Sequence, residues 1–229
     1  MIVVKDLRVN VLGEPLFEKV NLVVRSDERV ALVGSVLDNV STLLRVLAGE
    51  EDADRGMTTY DGERIAYVSP EMFREGGPAL GRLHHTRPTF IFIDATALDT
   101  GEQAIGDLER FIQGYRGGLM VASSHNRLIT SARVTRVFEL QPLVKTVTTY
   151  TGNYADFLVE QEKNRARLAE AYEKQQREKR KLEEYLEQKR REAGKAKSSP
   201  EKGAIVRAKT KYLQREILDK EIPDPTQFG

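Results

Sequence analysis

Between residues 29 and 49 the chain reads RVALVG, SVLDNV, STLLRVLAG, an apolar strand pattern that breaks at Gly34 and resumes as a helical pattern at Ser41. A strand, a sharp glycine and a helix is the layout of a phosphate-binding loop. In such a loop the pattern G-x-x-x-x-G-K-[ST] wraps phosphates with backbone amides, sets a lysine against their charge and offers a hydroxyl to Mg2+. Gly34, Ser35, Asn39, Ser41 and Thr42 are the candidate nucleotide-binding residues, and Gly34 and Ser41 keep their places in the pattern. Asn39 stands in for the second glycine, Val40 for the lysine, and Asp38 adds an anion to a nest that suits anions. Asparagine tolerates left-handed backbone. Valine offers nothing in place of the roughly 1.5–3 kcal/mol of a charge-assisted hydrogen bond. The spacing predicts weakened or lost nucleotide binding, against the plain alternative of a strand-to-helix connection in which Ser41 and Thr42 do no more than cap the helix.

A second chemistry lies near the other end. Residues 188–215 hold ten Lys and Arg (Lys189, Arg190, Arg191, Lys195, Lys197, Lys202, Arg207, Lys209, Lys211, Arg215) against Glu192 and Glu201, a local excess of +8. Cations at that density suit the phosphates of RNA, where each neutralised phosphate releases a counterion and binding acquires a salt slope. A helix face kept solvated by charge is the bland alternative. The net charge of +1 conceals this asymmetry, since residues 158–222 carry a difference of +6 and residues 1–157 a difference of −4.

The elements that must hold these residues are legible from hydrophobic period and turn residues. Strands are expected at residues 20–24, 29–34, 65–68, 89–94, 119–123, 134–140 and 144–150, with a helix from Ser41 closed by Gly49 and another over about 101–111. Strands separated by helices imply an α/β domain with a largely parallel sheet, the first hairpin and the last two strands being antiparallel additions. From Asp156 to about Glu192 turn signals vanish and a long charged helix with a thin apolar stripe (Leu168, Tyr172, Leu182, Leu186) is expected. The turn-rich AGKAKSSPEKG then leads to a second helix with Ile205, Ala208, Tyr212 and Ile217 on one side, so the pair forms an antiparallel hairpin. The expected organisation is residues 1–157 as an α/β domain, 158–222 as a charged helical hairpin and 223–229 as a tail.

Composition removes other classes of function. With no cysteine and three histidines, disulfide frameworks, thiolate metal sites and cysteine nucleophiles are excluded. No apolar run approaches the roughly 18 residues of a membrane span, so a soluble cytoplasmic protein with no membrane partner is expected.

These segments together resemble an ATP-binding cassette protein of the ABC-F class. MIVVKDLRV, GEPLFEKVNLVV, STLLRVLAGEE, TFIFIDATALD and SSHNR fall in that family's order, and YTGNYADFLVEQEKNR from Tyr150 is similar to its exit from the first cassette into the interdomain linker. The resemblance implies a P-loop NTPase-like cassette core with ATP and Mg2+ as cofactors. It matches Asp94 to the Walker B aspartate, Ser41 and Asp94 to the Mg2+ site, Asp99 to the D-loop and His125 to the switch histidine. It further implies a ribosomal RNA or tRNA partner for the hairpin, and a second cassette chain to complete a nucleotide sandwich.

Several positions depart from the family pattern. Ala95 stands where the catalytic glutamate belongs, Asn126 follows the switch histidine in place of an acid, Leu12 sits where an aromatic would stack on adenine, and Ser69-Pro70-Glu71 lacks the Q-loop glutamine. Residues 70–93 are too short for the helical subdomain, with Gly76-Gly77 as its remnant. Loss of a general base costs typically 10²- to 10⁴-fold in rate, so weak or absent hydrolysis is the expectation, with Asp94 and His125 as the remaining catalytic candidates. Residual ATP binding with slow hydrolysis, and a protein-binding coiled coil, stay open as alternatives. So do plainer roles: Asp94 capping the next turn, Asp99 and Thr96 starting a helix, His125 as a cap, His84-His85 as a solvated pair, and Tyr150 and Tyr154 as packing residues.

Overall fold

A computed structural model describes residues 1–74, 83, 86–97, 102–141, 145–195, 200–212, 215, 222 and 224. The chain divides into two compact units, Met1–Leu158 and Val159–Gly229.

The first unit is built on two sheets. Strands β1 (Ile2–Val11), β2 (Glu14–Val24) and β4 (Arg55–Tyr60) form an antiparallel sheet in the order β2-β1-β4. Strands β3 (Arg29–Gly34), β5 (Ile65–Val68), β6 (Phe90–Ala95), β7 (Gly118–Ser123), β8 (Arg136–Gln141) and β9 (Thr146–Thr151) form a second in the order β5-β6-β7-β3-β8-β9. Its first five strands are parallel and only β9 runs antiparallel, against β8. The expected antiparallel addition at the end of the domain is therefore one strand, since β8 pairs in parallel with β3 from Val30↔Arg136 to Gly34↔Leu140. At the start, the hairpin partner of β2 is β1, whose Ile2, Val4, Leu7 and Val9 are buried, and β3 belongs to the other sheet.

Alternation along β6 explains how one strand serves two cores. Phe90 and Phe92 point to a cluster shared with the antiparallel sheet and helix α1 (Leu37–Ala48), whereas Ile91, Ile93 and Ala95 point to the opposite face. That face is covered by helices α3 (Glu102–Gly114) and α4 (Asn126–Ser131), through Leu108, Ile112, Leu128 and Ile129. A short helix α2 (Pro70–Arg74) follows β5.

Helix α1 begins one turn before the expected start. Val36 is its N-cap residue, with no side-chain capping bond, so Ser41 lies inside the helix and does not cap it. The early start has an apolar cause: Val40, Leu43, Leu44 and Leu47 fall on one helical face and are all enclosed by the core, so extending the helix through Val40 buries one more aliphatic side chain. At the far end Gly49 adopts the left-handed conformation (φ 80°) and its amide returns to Val46 O, the expected stop.

The long helix α5 (Tyr154–Lys195) starts at Asn153, whose Oδ1 accepts the Asp156 amide at 2.9 Å while its Nδ2 donates to Asp156 Oδ2 at 2.7 Å, a reciprocal cap. Within the second unit, α5 is followed by α6 (Pro200–Tyr212). Lys209 of α6 places its ammonium 3.8 Å from the Tyr185 ring centroid, and Lys189 of α5 sits 5.8 Å from the same ring, so Tyr185 joins the two helices. Leu186 is buried beside it and Leu168, Tyr172 and Leu182 are half-buried, the thin stripe expected of α5. On α6, Ala208 and Tyr212 are exposed.

Candidate functional site

Five parallel strands end on the same edge of the large sheet, which brings Gly34 at the end of β3, Tyr67 near the end of β5 and Asp94 near the end of β6 to the side from which α1 departs. In open α/β sheets this edge is where ligands are held. Asp94 shares its face of β6 with Phe90 and Phe92, so its carboxylate points toward α1, and it is completely buried.

The surroundings of Asp94 account for both oxygens. Oδ2 accepts from Ser41 Oγ and, at 2.9 Å, from the Tyr67 hydroxyl. Oδ1 accepts the Thr96 hydroxyl at 2.7 Å and the Thr96 amide at 3.1 Å. A carboxylate offers about four lone-pair directions. Here protein donors supply all of them. The capping role weighed for Asp94 is present in the two bonds from Thr96, and the bond from Ser41 brings these two candidate residues together. Tyr67 carries no motif in the sequence and lies 27 residues from its partner, so only the β5–β6 pairing reveals it. Burial, followed by the charge and hydrogen bond of Asp94, pushes the Tyr67 phenol far above its ordinary pKa and keeps it a donor.

In the glycine loop, the side chain at the lysine position is part of the core. Val40, at the lysine position, is buried, and its amide is already bonded to Val36 O at 3.2 Å. Its Cγ2 lies 2.9 Å from where a β-carbon on Gly34 would stand, and Leu140 Cβ lies 3.0 Å from that point. Glycine at 34 thus lets the first turn of α1 and strand β8 close over the end of β3. Asn39 is helical and half-buried, in place of the expected left-handed turn, and Ser35 is exposed. Thr42 accepts a hydrogen bond from Arg45 at 3.4 Å, and Arg45 also pairs with Glu51 at 3.1 Å.

The remaining candidates scatter around this centre. Ala95 points away from Asp94 into the second core cluster and is fully buried. His125 is the N-cap residue of α4 without a side-chain capping bond, and its amide donates to Ser123 Oγ at 2.9 Å. Asn126, in place of an acid, accepts the buried Tyr154 hydroxyl at 2.8 Å, and Tyr154 and Tyr150 both pack against Phe157. Leu12 sits fully exposed at the β1–β2 turn, and Ser69 accepts the Met72 amide at 3.1 Å through its carbonyl. Asp99, Gly76, Gly77, His84, His85 and Lys197 lie outside the described residues. Among the described residues no group of three or more His, Asp or Glu side chains could hold a metal ion, and no helix is long and apolar enough to cross a membrane.

On the hairpin, Arg191, Arg207, Lys209, Lys211 and Arg215 are exposed and Lys189 is half-buried. Arg191 is paired with Glu187, and Lys209 and Lys189 attend Tyr185. Arg190, Lys195 and Lys202 lie on α5 and α6.

Comparison with known proteins agrees with this architecture. A sequence-family model described as "ABC transporter" matches residues 144–216, from strand β9 through the hairpin. The curated protein "Probable ATP-binding protein YbiT" of Escherichia coli O157:H7 is 23% identical over 195 residues, covering 63% of this chain. The match spans 36% of YbiT, so the chain corresponds to about a third of the curated relative's length. Among solved structures, the dimeric structure of MJ0796, a bacterial ABC transporter cassette, aligns with a TM-score of 0.51 at 13% identity over 66% of this chain and 98% of that one. The ATP-binding subunit of an ABC transporter aligns with a TM-score of 0.48 at 17% identity, over 66% of this chain and 90% of that one. At 13% identity it is the α/β cassette fold that is shared with MJ0796.

Proposed function

We propose that this relative of the ATP-binding cassette family is an ABC-F-like protein whose cassette serves as a scaffold with a nucleotide site turned into core, and whose basic hairpin contacts folded RNA of the ribosome or a tRNA. The observation that carries the reading is a contrast in exposure. The Asp94 carboxylate is enclosed by four donors from its own chain, whereas Arg207, Lys211 and Arg215 stand in solvent.

The cofactors implied by the resemblance do not fit the residues present. Magnesium needs an oxygen ligand with a free lone pair, or a water held by one; the lone pairs of Asp94 are taken by Ser41, Tyr67 and Thr96, while Ser41, the donor in its bond, keeps its own but has no free carboxylate beside it. A triphosphate needs free amides and a counter-charge in the loop; the Val40 amide is inside the helix and its side chain is apolar core. No hydrolytic step is derived through this site. Buried Ala95, in the place of a general base, points the same way.

The hairpin supplies a surface with a use. Cations held on paired helices, ten Lys and Arg against Glu192 and Glu201 over residues 188–215 and no acid from Lys202 to Arg215, favour a polyanion over a solvated face, because they are free to exchange their counterions for phosphate.

Two measurements on the full chain test the proposal. Calorimetry with Mg2+-ATP is expected to give no binding at micromolar concentrations; micromolar binding abolished by Asp94→Asn would overturn the scaffold half and revive an ATPase. Co-sedimentation with ribosomes across a salt series is expected to weaken steeply as salt rises, with a log–log slope reduced by about three in the triple variant Arg207→Glu, Lys211→Glu, Arg215→Glu. Absence of association at low salt, or association indifferent to the three reversals, defeats the RNA half.

A further inference from the structure

We infer that Tyr212 is a base-stacking residue and that the hairpin recognises an unpaired stretch of RNA, a loop or a strand end, in preference to a duplex. This rests on the RNA reading above and names the RNA class it takes.

Of the hairpin's three tyrosines, Tyr172 is half-buried on the α5 stripe, and the other two are used differently. Tyr185 is covered: Lys209 lies 3.8 Å from its ring centroid and Lys189 lies on the same ring. Tyr212 is 50% exposed. The contact from Lys209 fixes which way α6 faces. Val206 and Thr210 are half-buried, whereas Arg207, Ala208, Lys211 and Tyr212 together occupy an exposed arc of the helix. On that arc Arg207 and Lys211 are one turn apart, and so are Ala208 and Tyr212, which places a basic row beside the ring. A helical side chain leans over the turn that precedes it, and the residue one turn before Tyr212 is an alanine, too small to shield a ring face. No acid occurs from Lys202 to Arg215.

A half-exposed aromatic ring beside a row of cations is the arrangement that holds single-stranded nucleic acid, with phosphates on the cations and a base on the ring. A paired base has both faces occupied by its neighbours and cannot stack on a side chain. Charge complementarity commits the surface to a polyanion, and the ring selects the unpaired form.

The test measures affinity of the whole chain for a single-stranded oligouridine of about 16 nucleotides and a mixed-sequence RNA duplex of about 16 base pairs. The single strand is expected to bind more tightly. Tyr212→Ala is expected to weaken it roughly 5- to 150-fold, with duplex binding and the salt slope unchanged, while Tyr212→Phe keeps wild-type affinity. Arg207→Gln is expected to weaken both RNAs and lower the slope by about one. Single-strand binding that ignores Tyr212→Ala, an equal loss on both RNAs, or a wild-type preference for the duplex overturns this inference while leaving the proposed function standing. Failure of the wild type to bind any RNA or ribosome at low salt overturns both.

Discussion

The surroundings of Asp94 and the outer arc of α6 are the two places where this chain concentrates polar chemistry, and they are built on opposite terms. Around Asp94 three hydroxyls and an amide fill the lone pairs of the carboxylate, all from within the first unit. On α6, Arg207, Lys211 and Tyr212 face solvent. A polar group satisfied internally contributes to stability and has nothing left for a ligand; a polar or aromatic group left in water contributes little to the fold and keeps its binding capacity. The difference is that the polar groups around Asp94 are spent within the fold, whereas those on α6 are left to solvent.

The largest effect that would break this contrast is at Asp94 itself. Asp94→Ala removes the acceptor shared by three hydroxyls and an amide, and leaving such donors buried costs about 3 kcal/mol or more. A large drop in the urea midpoint is expected with RNA affinity of the folded fraction unchanged; an unaltered midpoint would show that the hub is not structural. The double substitution Asn39→Gly, Val40→Lys rewrites the loop as the full phosphate-binding pattern. It is expected to destabilise by about 2–4 kcal/mol, by putting an ammonium into an apolar face, and to leave ATP binding undetectable by calorimetry because Asp94 stays occupied. Recovery of tight ATP binding in that variant would mean that the glycine and lysine of the loop were all that was missing.

Tyr67→Phe is a smaller cut, expected to cost about 1–2 kcal/mol, and it carries a pH signature. The folded phenol titrates above its unfolded value near 10, raised first by burial and then by Asp94. The stability it contributes is fully present below pH 10 and is lost as pH rises through the folded pKa. Part of the alkaline fall in wild-type stability should therefore be missing from the variant, the rest belonging to Tyr60, Tyr115 and Tyr154, whose pKa values are also raised by burial. The same alkaline slope in both proteins would place Tyr67 outside the Asp94 network. Smallest on stability is Lys211→Gln, expected within 0.5 kcal/mol on the fold, yet lowering the salt slope of RNA binding by about one. A folding defect there, with RNA binding intact, would invert the comparison.

Much of the fold was legible because it depends on local pattern. The strands of the large sheet, the helix stop at Gly49 and the long charged helix follow from period and turn chemistry, and the structure has them within a few residues, whereas the strand expected from Val20 already starts at Glu14 and β4 was not expected. The misplaced start of α1 was legible too, in the spacing of Val40, Leu43, Leu44 and Leu47, but it competed with a motif that favoured Ser41 as a cap. Strand β1 hid behind the charges at Lys5, Asp6 and Arg8, which sit at irregular points of its register with β2. The direction of β8 was beyond reach, since only its partner decides whether a strand runs parallel.

The candidate site divides in the same way. Residue types alone determined that valine stands at the lysine place of the loop pattern and that ten cations crowd one tract, because presence and charge need no geometry; Ala95 and Leu12 stood out only against the pattern of the family the chain resembles. Only the tertiary structure decided that Tyr67 reaches Asp94, that Val40 closes over Gly34, and that Lys209 covers one tyrosine while another stays open. Each of these is a contact between distant segments, set by strand register and helix facing, and distance in space is not a property that a residue carries in its name.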